Sequence, residues 1–406
     1  MGQTLLFQPF QNPFRPGAGQ LPPHLAGRTD QIVYFEKSIL SQNPVLSNLL
    51  ISGLRGVGKT VLLDTLRPVA VNNGWIWAGT DLSESVSVSE KNLSLRIMTD
   101  LASAVSSIPI HEEEVKEMGF SSKKATHTTF ITGDLLKNIY DNTFGLETDK
   151  LKRVLEFTWQ NVKHTAKGII LAYDEAQNLN DKAEDKQYPL SLLLEVISYL
   201  QKNQIPYILI LTGLPTLFSN LVEARTYSER MFHQMILTKL SKEESKEAIV
   251  IPIKKDNCPV RLSDKFIGEI IKNSGGYPYF IQYLCKEVYD SYLQQVAMGN
   301  ILPDINLDSI IRKLDTDFYQ GRWGKVTDRQ KDLLIIISKL PNAEEEFTAK
   351  EIIEESNTTK EPFKSSSLNI MLSALIASGL IYKNRHGKYS FAVPMFSKFI
   401  KREISD

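Results

Sequence analysis

The sequence predicts an α/β core built on a parallel five-stranded sheet, then an all-helical region, then a smaller terminal domain of three helices and a hairpin. Three observations predict it. Short, near-continuous apolar runs alternate with helical patterns up to about residue 240, as in a parallel sheet covered by helices on both faces. From Ser241 the apolar period becomes purely helical. A break at 321–324 (GRWG) then leads into a segment of mixed period. At 406 residues and 46.0 kDa the chain is long enough for two or three domains.

The elements follow in order. Residues 1–23 are rich in Pro, Gly, Gln and Phe and read as an extended arm. The α/β domain spans 24–240. It opens with a helix at about 30–41, then a strand at 48–52 (NLLIS), a glycine turn, and a helix at 59–66. Further strands are expected at 75–81 (WIWAGTD), 168–174 (GIILAYD), 205–212 (IPYILILT) and 235–237. An insertion at about 85–165 reads as mostly helical, with a Ser/Thr/Lys-rich loop at 121–129. The helical region, 241–322, starts at a capping box made by Ser241 and Glu244. In the terminal domain, 323–406, helices are expected at 327–339, after the Thr348/Glu351 capping box, and at 364–378. Residues 381–382 and 389–393 then flank a turn at Asn384-Arg385-His386-Gly387. Three helices and a hairpin make a winged helix.

Composition narrows the function classes. Lys plus Arg equals Asp plus Glu at 47 each, so any nucleic-acid surface is local rather than global. Cys258 and Cys285 are too few for a disulfide framework or a metal cluster, and a reducing cytoplasm is the expected location. No apolar run is long enough to span a bilayer, so no membrane partner is expected.

The chemistry-bearing motif is GLRGVGKT at 53–60, a Walker A sequence. Gly53, Gly56 and Gly58 let backbone N–H groups of the loop, including those of Arg55, Val57 and Val61, curl around phosphate oxygens. The helix starting at Lys59 aims its positive end at the same anion. Lys59 reaches the β and γ phosphates of ATP, and Thr60 offers a hydroxyl to Mg²⁺. The competing reading is an ordinary glycine turn. A strand ending in Asp174-Glu175 supplies the second half: Asp174 as Mg²⁺ ligand, Glu175 as general base toward the attacking water. Taken alone, such a pair also reads as a helix cap.

Further motifs resemble the AAA+ class of P-loop ATPases, in its initiator (origin-recognition) branch. PPHLAGR at 22–28 is similar to the box that lies beside the adenine in that family, which implicates Gly27 and Arg28. Thr212 ends a strand where the family places its polar sensor-1 residue. SERMF at 228–232 occupies the place of the arginine finger, implicating Arg230, with Arg225 second. GGYPY at 275–279 resembles the sensor-2 box, implicating Pro278 and Tyr279, but Tyr279 stands where the family carries an arginine, and a tyrosine cannot neutralise a γ phosphate. The resemblance covers about 20–320. The whole pattern is similar to bacterial single-chain AAA+ ATPases with a winged-helix tail. It implies an ATPase that binds ATP and Mg²⁺ and forms homo-oligomers, with a finger supplied in trans.

Charge is segregated in the terminal domain: 344–361 is mostly acidic, while 362–402 contains no Asp or Glu. Lys364, Lys383, Arg385 and Lys388, with Ser366, are the expected contacts to duplex DNA. Two readings follow. The first is an ATP-switched factor that assembles on duplex DNA. The second is a regulatory ATPase that recruits or activates a partner effector protein, its winged helix serving as a docking module. A threading ring ranks third: it needs an aromatic pore loop, for which Phe120 and Phe130 are the candidates.

Overall fold

The computed structural model describes residues 11–41, 47–116, 124–254, 258, 260–300, 303–385 and 387–405. The chain forms two compact units. One comprises 30–52 and 62–236; the other combines the described parts of 1–29, 53–61 and 237–406.

In the first unit the strands are β1 (Asn48–Ser52), β2 (Trp75–Ala78), β3 (Pro109–Lys116), β4 (Lys124–Phe130), β5 (Gly168–Tyr173), β6 (Tyr207–Gly213) and β7 (Phe232–Ile236). Five of them make a parallel sheet in the order β2-β5-β6-β1-β7. The three central strands are buried at every position, which accounts for their unbroken apolar runs. Helices Glu90–Val105, Glu147–Val162 and Pro189–Lys202 contribute to the core against them. The parallel register sets Ser52 beside Gly213 and Tyr173 beside Leu211, so Asp174 and Thr212 lie at the same carboxyl edge. In open α/β sheets that edge is where ligands bind.

The segment between β2 and β5 differs from its sequence reading. Residues 124–130 form a strand rather than a loop, pairing antiparallel with β3 from Pro109↔Phe130 to Lys116↔Lys124. Three threonines in KATHTTF favour extended backbone, because branching at Cβ crowds a helical turn. Phe120 lies outside the described residues; Phe130 closes β4 and is exposed.

The second unit holds helices Lys242–Lys254, Asp264–Ser274, Pro278–Ala297 and Leu307–Leu314, the last running on through a wider turn at Asp315–Gln320. Ser241 and Glu244 cap the first reciprocally (Glu244 N–H to Ser241 Oγ, 3.2 Å; Ser241 N–H to Glu244 Oε2, 2.7 Å). The chain continues through helix Asp328–Lys339, β8 (Phe347–Thr348), helices Ala349–Ser356 and Ser365–Ala377, then β9 (Ile381–Arg385), β10 (Lys388–Phe391) and helix Phe396–Glu403. The strands form an antiparallel sheet, β8-β10-β9. An aromatic stack through Phe280, Phe318, Tyr319, Phe396 and Phe399 joins the helices on either side of residue 320. A bidentate pair from Arg402 to Asp315 (2.6 and 2.7 Å) reinforces it. Burying each ring contributes roughly 1.5–3 kcal/mol, so the terminal elements and the helices before them share one core.

The described part of the amino-terminal arm packs along helix Pro278–Ala297. Phe14 is buried edge-on against Tyr289, Asn12 Nδ2 donates to Lys286 O (2.9 Å) and Asp290 Oδ1 (2.7 Å), and Arg15 N–H donates to Gln282 Oε1 (3.1 Å). No described helix is long and apolar enough to cross a membrane. Both cysteines are free and buried.

Candidate active site

The phosphate-loop sequence belongs to the helical unit. Gly56 (φ 77°) and Gly58 (φ 92°) take left-handed backbone, the conformation that turns successive N–H groups inward. Helix Lys59–Asn72 starts directly after them. The Lys59 ammonium is buried and folds back over its own loop, donating to Gly53 O (3.0 Å) and Leu54 O (3.1 Å). Thr60 is half-buried and Val61 follows it into the helix.

Arg28 braces this loop. Its guanidinium is buried and donates to Gly27 O (2.9 Å), Val57 O (3.0 Å) and Thr238 O (2.9 Å). Burial lowers its pKa, against an opposing pull from Glu244. Pro278 opens its helix, and Tyr279 N–H donates to Gly56 O (3.1 Å). The Tyr279 ring packs against Phe280 and Phe318. Arg55 is exposed, its Nη2 so close to Gly379 that a Cβ there would meet it at 3.3 Å.

The acidic edge belongs to the α/β unit. Asp174 is buried, and its Oδ1 accepts from Glu175 N–H (2.8 Å) and from the fully buried Thr212 hydroxyl. Glu175 has left-handed backbone (φ 52°, ψ 33°), which a side chain adopts only when its surroundings hold it there. Three residues absent from the sequence reading join them. Gln177 donates to the Glu175 carboxylate while its Oε1 accepts from Leu214 N–H (3.1 Å). Asp81 pairs with Asp174 in an isolated parallel bridge. It reaches that place because Gly79 passes so close to β5 that a Cβ would meet Ala172 O at 1.8 Å. Asp64 faces the same charges. Burial, Asp174 and, for Asp81, Glu175 raise both carboxyls above their ordinary range. Gln177 follows the Asp-Glu pair so closely in sequence that the spacing is a usable signal; Asp64 and Asp81 are brought in by the fold alone.

This field suits a divalent cation, yet among the described residues no three acidic, His or Cys side chains converge enough to hold one by themselves. The oxygen donors that do gather there, Asp174 and Asp81, are of the type that a hard cation such as Mg²⁺ accepts. Of the two arginine-finger candidates, Arg225 lies 3.7 Å from Glu195, whereas Arg230 is exposed and makes no ion pair among the described residues.

In the terminal region Lys364 and Ser366 are exposed at the start of helix Ser365–Ala377, and Lys383 and Lys388 lie on β9 and β10. The side chain of Arg385 and all of His386 lie outside the described residues.

Residues 316–400 match a family model described as a domain of unknown function (DUF8462). No curated protein matches the chain. Among solved structures, the chain is similar to the Walker-type ATPase of Pyrococcus abyssi, at 16% identity and TM-score 0.59, over 93% of this chain and 96% of that one. It is also similar to the ORC2 protein of Aeropyrum pernix in ADPNP–ADP complexes, at 13% identity and TM-score 0.53, over 96% and 98%. Set beside the five-stranded order and the P-loop geometry, these likenesses assign the architecture: the chain has the AAA+ fold of the initiator, origin-recognition-like type.

Proposed function

We propose that the chain is an ATP-binding and ATP-hydrolysing AAA+ switch that assembles through ATP-dependent contacts between its own copies and contacts duplex DNA through a C-terminal winged helix. The observation that carries the ATP reading is the preformed loop: left-handed glycines, a helix start, and a buried lysine hydrogen-bonded across the cradle. Loop N–H groups hold the phosphates, Lys59 neutralises β and γ charge, and Thr60 and Asp174 are the Mg²⁺ contacts. Bound there, Mg²⁺ would neutralise charge on the β and γ oxygens. Glu175, oriented by Gln177, accepts a proton from the attacking water as the new bond to the γ phosphorus forms and the bond to the ADP oxygen breaks. Thr212 holds Asp174, and Arg230 serves as the finger toward a neighbouring copy. The domains we propose remain 24–240, 241–322 and 323–406.

A second reading has its own observation. Helix Ser365–Ala377 exposes Ile370, and its sequence SSSLNIMLSALIA contains no Lys or Arg. A helix that reads DNA usually brings cations to the phosphates. This face favours a protein partner, an effector that the ATPase recruits or activates.

One experiment tests the function and separates the readings: steady-state ATP turnover at several protein concentrations, with and without long duplex DNA, at low and moderate salt. Turnover that rises with protein concentration and is stimulated by DNA in a salt-sensitive way supports the first reading. Turnover indifferent to DNA supports the second. Absence of ATP turnover under all these conditions would overturn the hydrolytic switch in both.

A further inference from the structure

The general base proposed above stands on a strained turn. Glu175 keeps its left-handed backbone (φ 52°, ψ 33°) immediately before the short helical turn Ala176–Asn178. A residue with a side chain stays in that conformation only where its neighbours hold the chain there. Those neighbours extend well beyond the strand ends.

The turn is fastened on two sides. On one, Asn178 Nδ2 donates to Leu82 O (2.9 Å), in the segment that follows β2. On the other, helix Leu217–Ala224 and its entrance hold it at two points. At the entrance, Leu214 N–H donates to Gln177 Oε1 (3.1 Å). Gly213 permits that approach, since a Cβ there would meet Gln177 Oε1 at 2.6 Å. One turn into the helix, Asn220 Nδ2 donates to Asn180 Oδ1 (2.8 Å), and Asn180 Nδ2 donates in turn to Gln177 O (2.9 Å). Gln177 Nε2 completes the path by donating to the Glu175 carboxylate. Asn180 and Asn220 are both half-buried. A side-chain amide has one accepting end and one donating end, and half a turn exchanges them. The donor on Asn220 decides which end of Asn180 faces it, and so keeps the Asn180 amine toward Gln177.

We propose that Asn220 is a positioning residue for Glu175, acting from helix Leu217–Ala224 through Asn180 and Gln177. The inference rests on the hydrolytic reading above. Asn220 acts on the placement of the base, so it governs the chemical step and leaves nucleotide binding unchanged.

The test is steady-state ATP turnover by the full chain and by Asn220→Leu, which keeps the side-chain volume and removes the donor without adding charge. The expected result is a kcat lowered about three- to fivefold, within the contribution of one neutral hydrogen bond, at unchanged KM for ATP. Because Asn220 acts through Gln177, the same substitution in a Gln177→Ala background is expected to cost nothing further. A residue that only packs the helix would add its loss to that of Gln177→Ala. No loss of kcat, an accompanying change in KM, or an additive loss in the double variant overturns the proposal. If circular dichroism shows that the Leu variant is not folded, Asn180→Leu, which removes the middle of the same path, is read by the same criteria. A wild-type chain without ATP turnover overturns the hydrolytic reading itself. Wild-type turnover with an indifferent Asn220→Leu sinks only the role of Asn220.

Discussion

The two compact units carry opposite charge chemistry. The α/β unit collects Asp64, Asp81, Asp174 and Glu175 around the carboxyl ends of its strands, and two of these carboxyls hold protons more tightly than usual because of their neighbours. The helical unit carries the phosphate loop with Lys59 and Arg55, and its Arg322, in the turn Gly321–Trp323, shifts the other way: burial and the like charge of Arg55 lower its pKa. Each unit taken alone holds an excess of one sign. The difference teaches that carboxyls gathered at strand ends raise one another's proton affinity, whereas the lysine of the loop is satisfied by backbone carbonyls of its own turn.

The cationic half breaks most completely at Lys59. Lys59→Ala removes the ammonium proposed to bond the β and γ phosphates, and each hydrogen bond to a charged group is worth about 1.5–3 kcal/mol. Calorimetric titration with ATPγS is expected to show affinity falling by roughly a hundredfold or more. Affinity within threefold of wild type would remove the loop from the binding site. The acidic half should break differently. Glu175→Gln is expected to keep ATP affinity while turnover falls about 10²–10⁴-fold, the usual contribution of a positioned base. Full turnover in that variant would mean another group takes the proton.

A subtler separation lies within the acidic half. Gln177 ties Glu175 to the backbone just after β6. Gln177→Ala is expected to lower kcat about five- to tenfold at unchanged KM. In the Glu175→Gln background the same change should cost nothing further, because two residues acting through one group are not additive. Additive losses would show that Gln177 acts elsewhere.

Much of this was legible in the sequence because it is local. The phosphate loop needs only glycine spacing between an apolar run and a helix, and the central strands declare themselves by unbroken apolar composition. Where several forces compete, reading failed. The helix from Lys59 was expected to stop near Leu66, ahead of Pro68, yet it runs to Asn72, and burial of Leu66 and Ala70 accompanies that continuation through the proline. The charged run HEEEVK in β3 has no apolar alternation to mark it as a strand. The docking of Phe14 on Tyr289 joins residues hundreds of positions apart, and no local pattern announces it. Asp64 and Asp81 belong to the same class: ordinary surface residue types that join the acidic edge only through the neighbours the fold gives them.

The smallest expected effect gives the finest test of the acidic field. In the folded chain the Asp81 carboxyl is raised by burial, by Asp174 and by Glu175. A raised carboxyl binds its proton more tightly folded than unfolded. Its contribution to stability is therefore favourable while it is protonated and falls as pH rises from the ordinary carboxyl range through the folded value. At neutral pH the charged form is present and costs stability, so Asp81→Asn should raise the melting temperature of the nucleotide-free chain. Asp81 is exposed, and solvent screening keeps the gain below about 1 kcal/mol, or roughly 1–3 °C for a chain this size. The gain should be full near pH 7 and fade on acidification, as the wild-type carboxyl takes up its proton. Added Mg²⁺ should stabilise wild type more than the Asn variant, since the cation relieves the same repulsion. A variant that melts lower than wild type at neutral pH, or whose difference from wild type ignores both pH and Mg²⁺, would show that Asp81 is only a hydrogen-bonding residue at the strand edge.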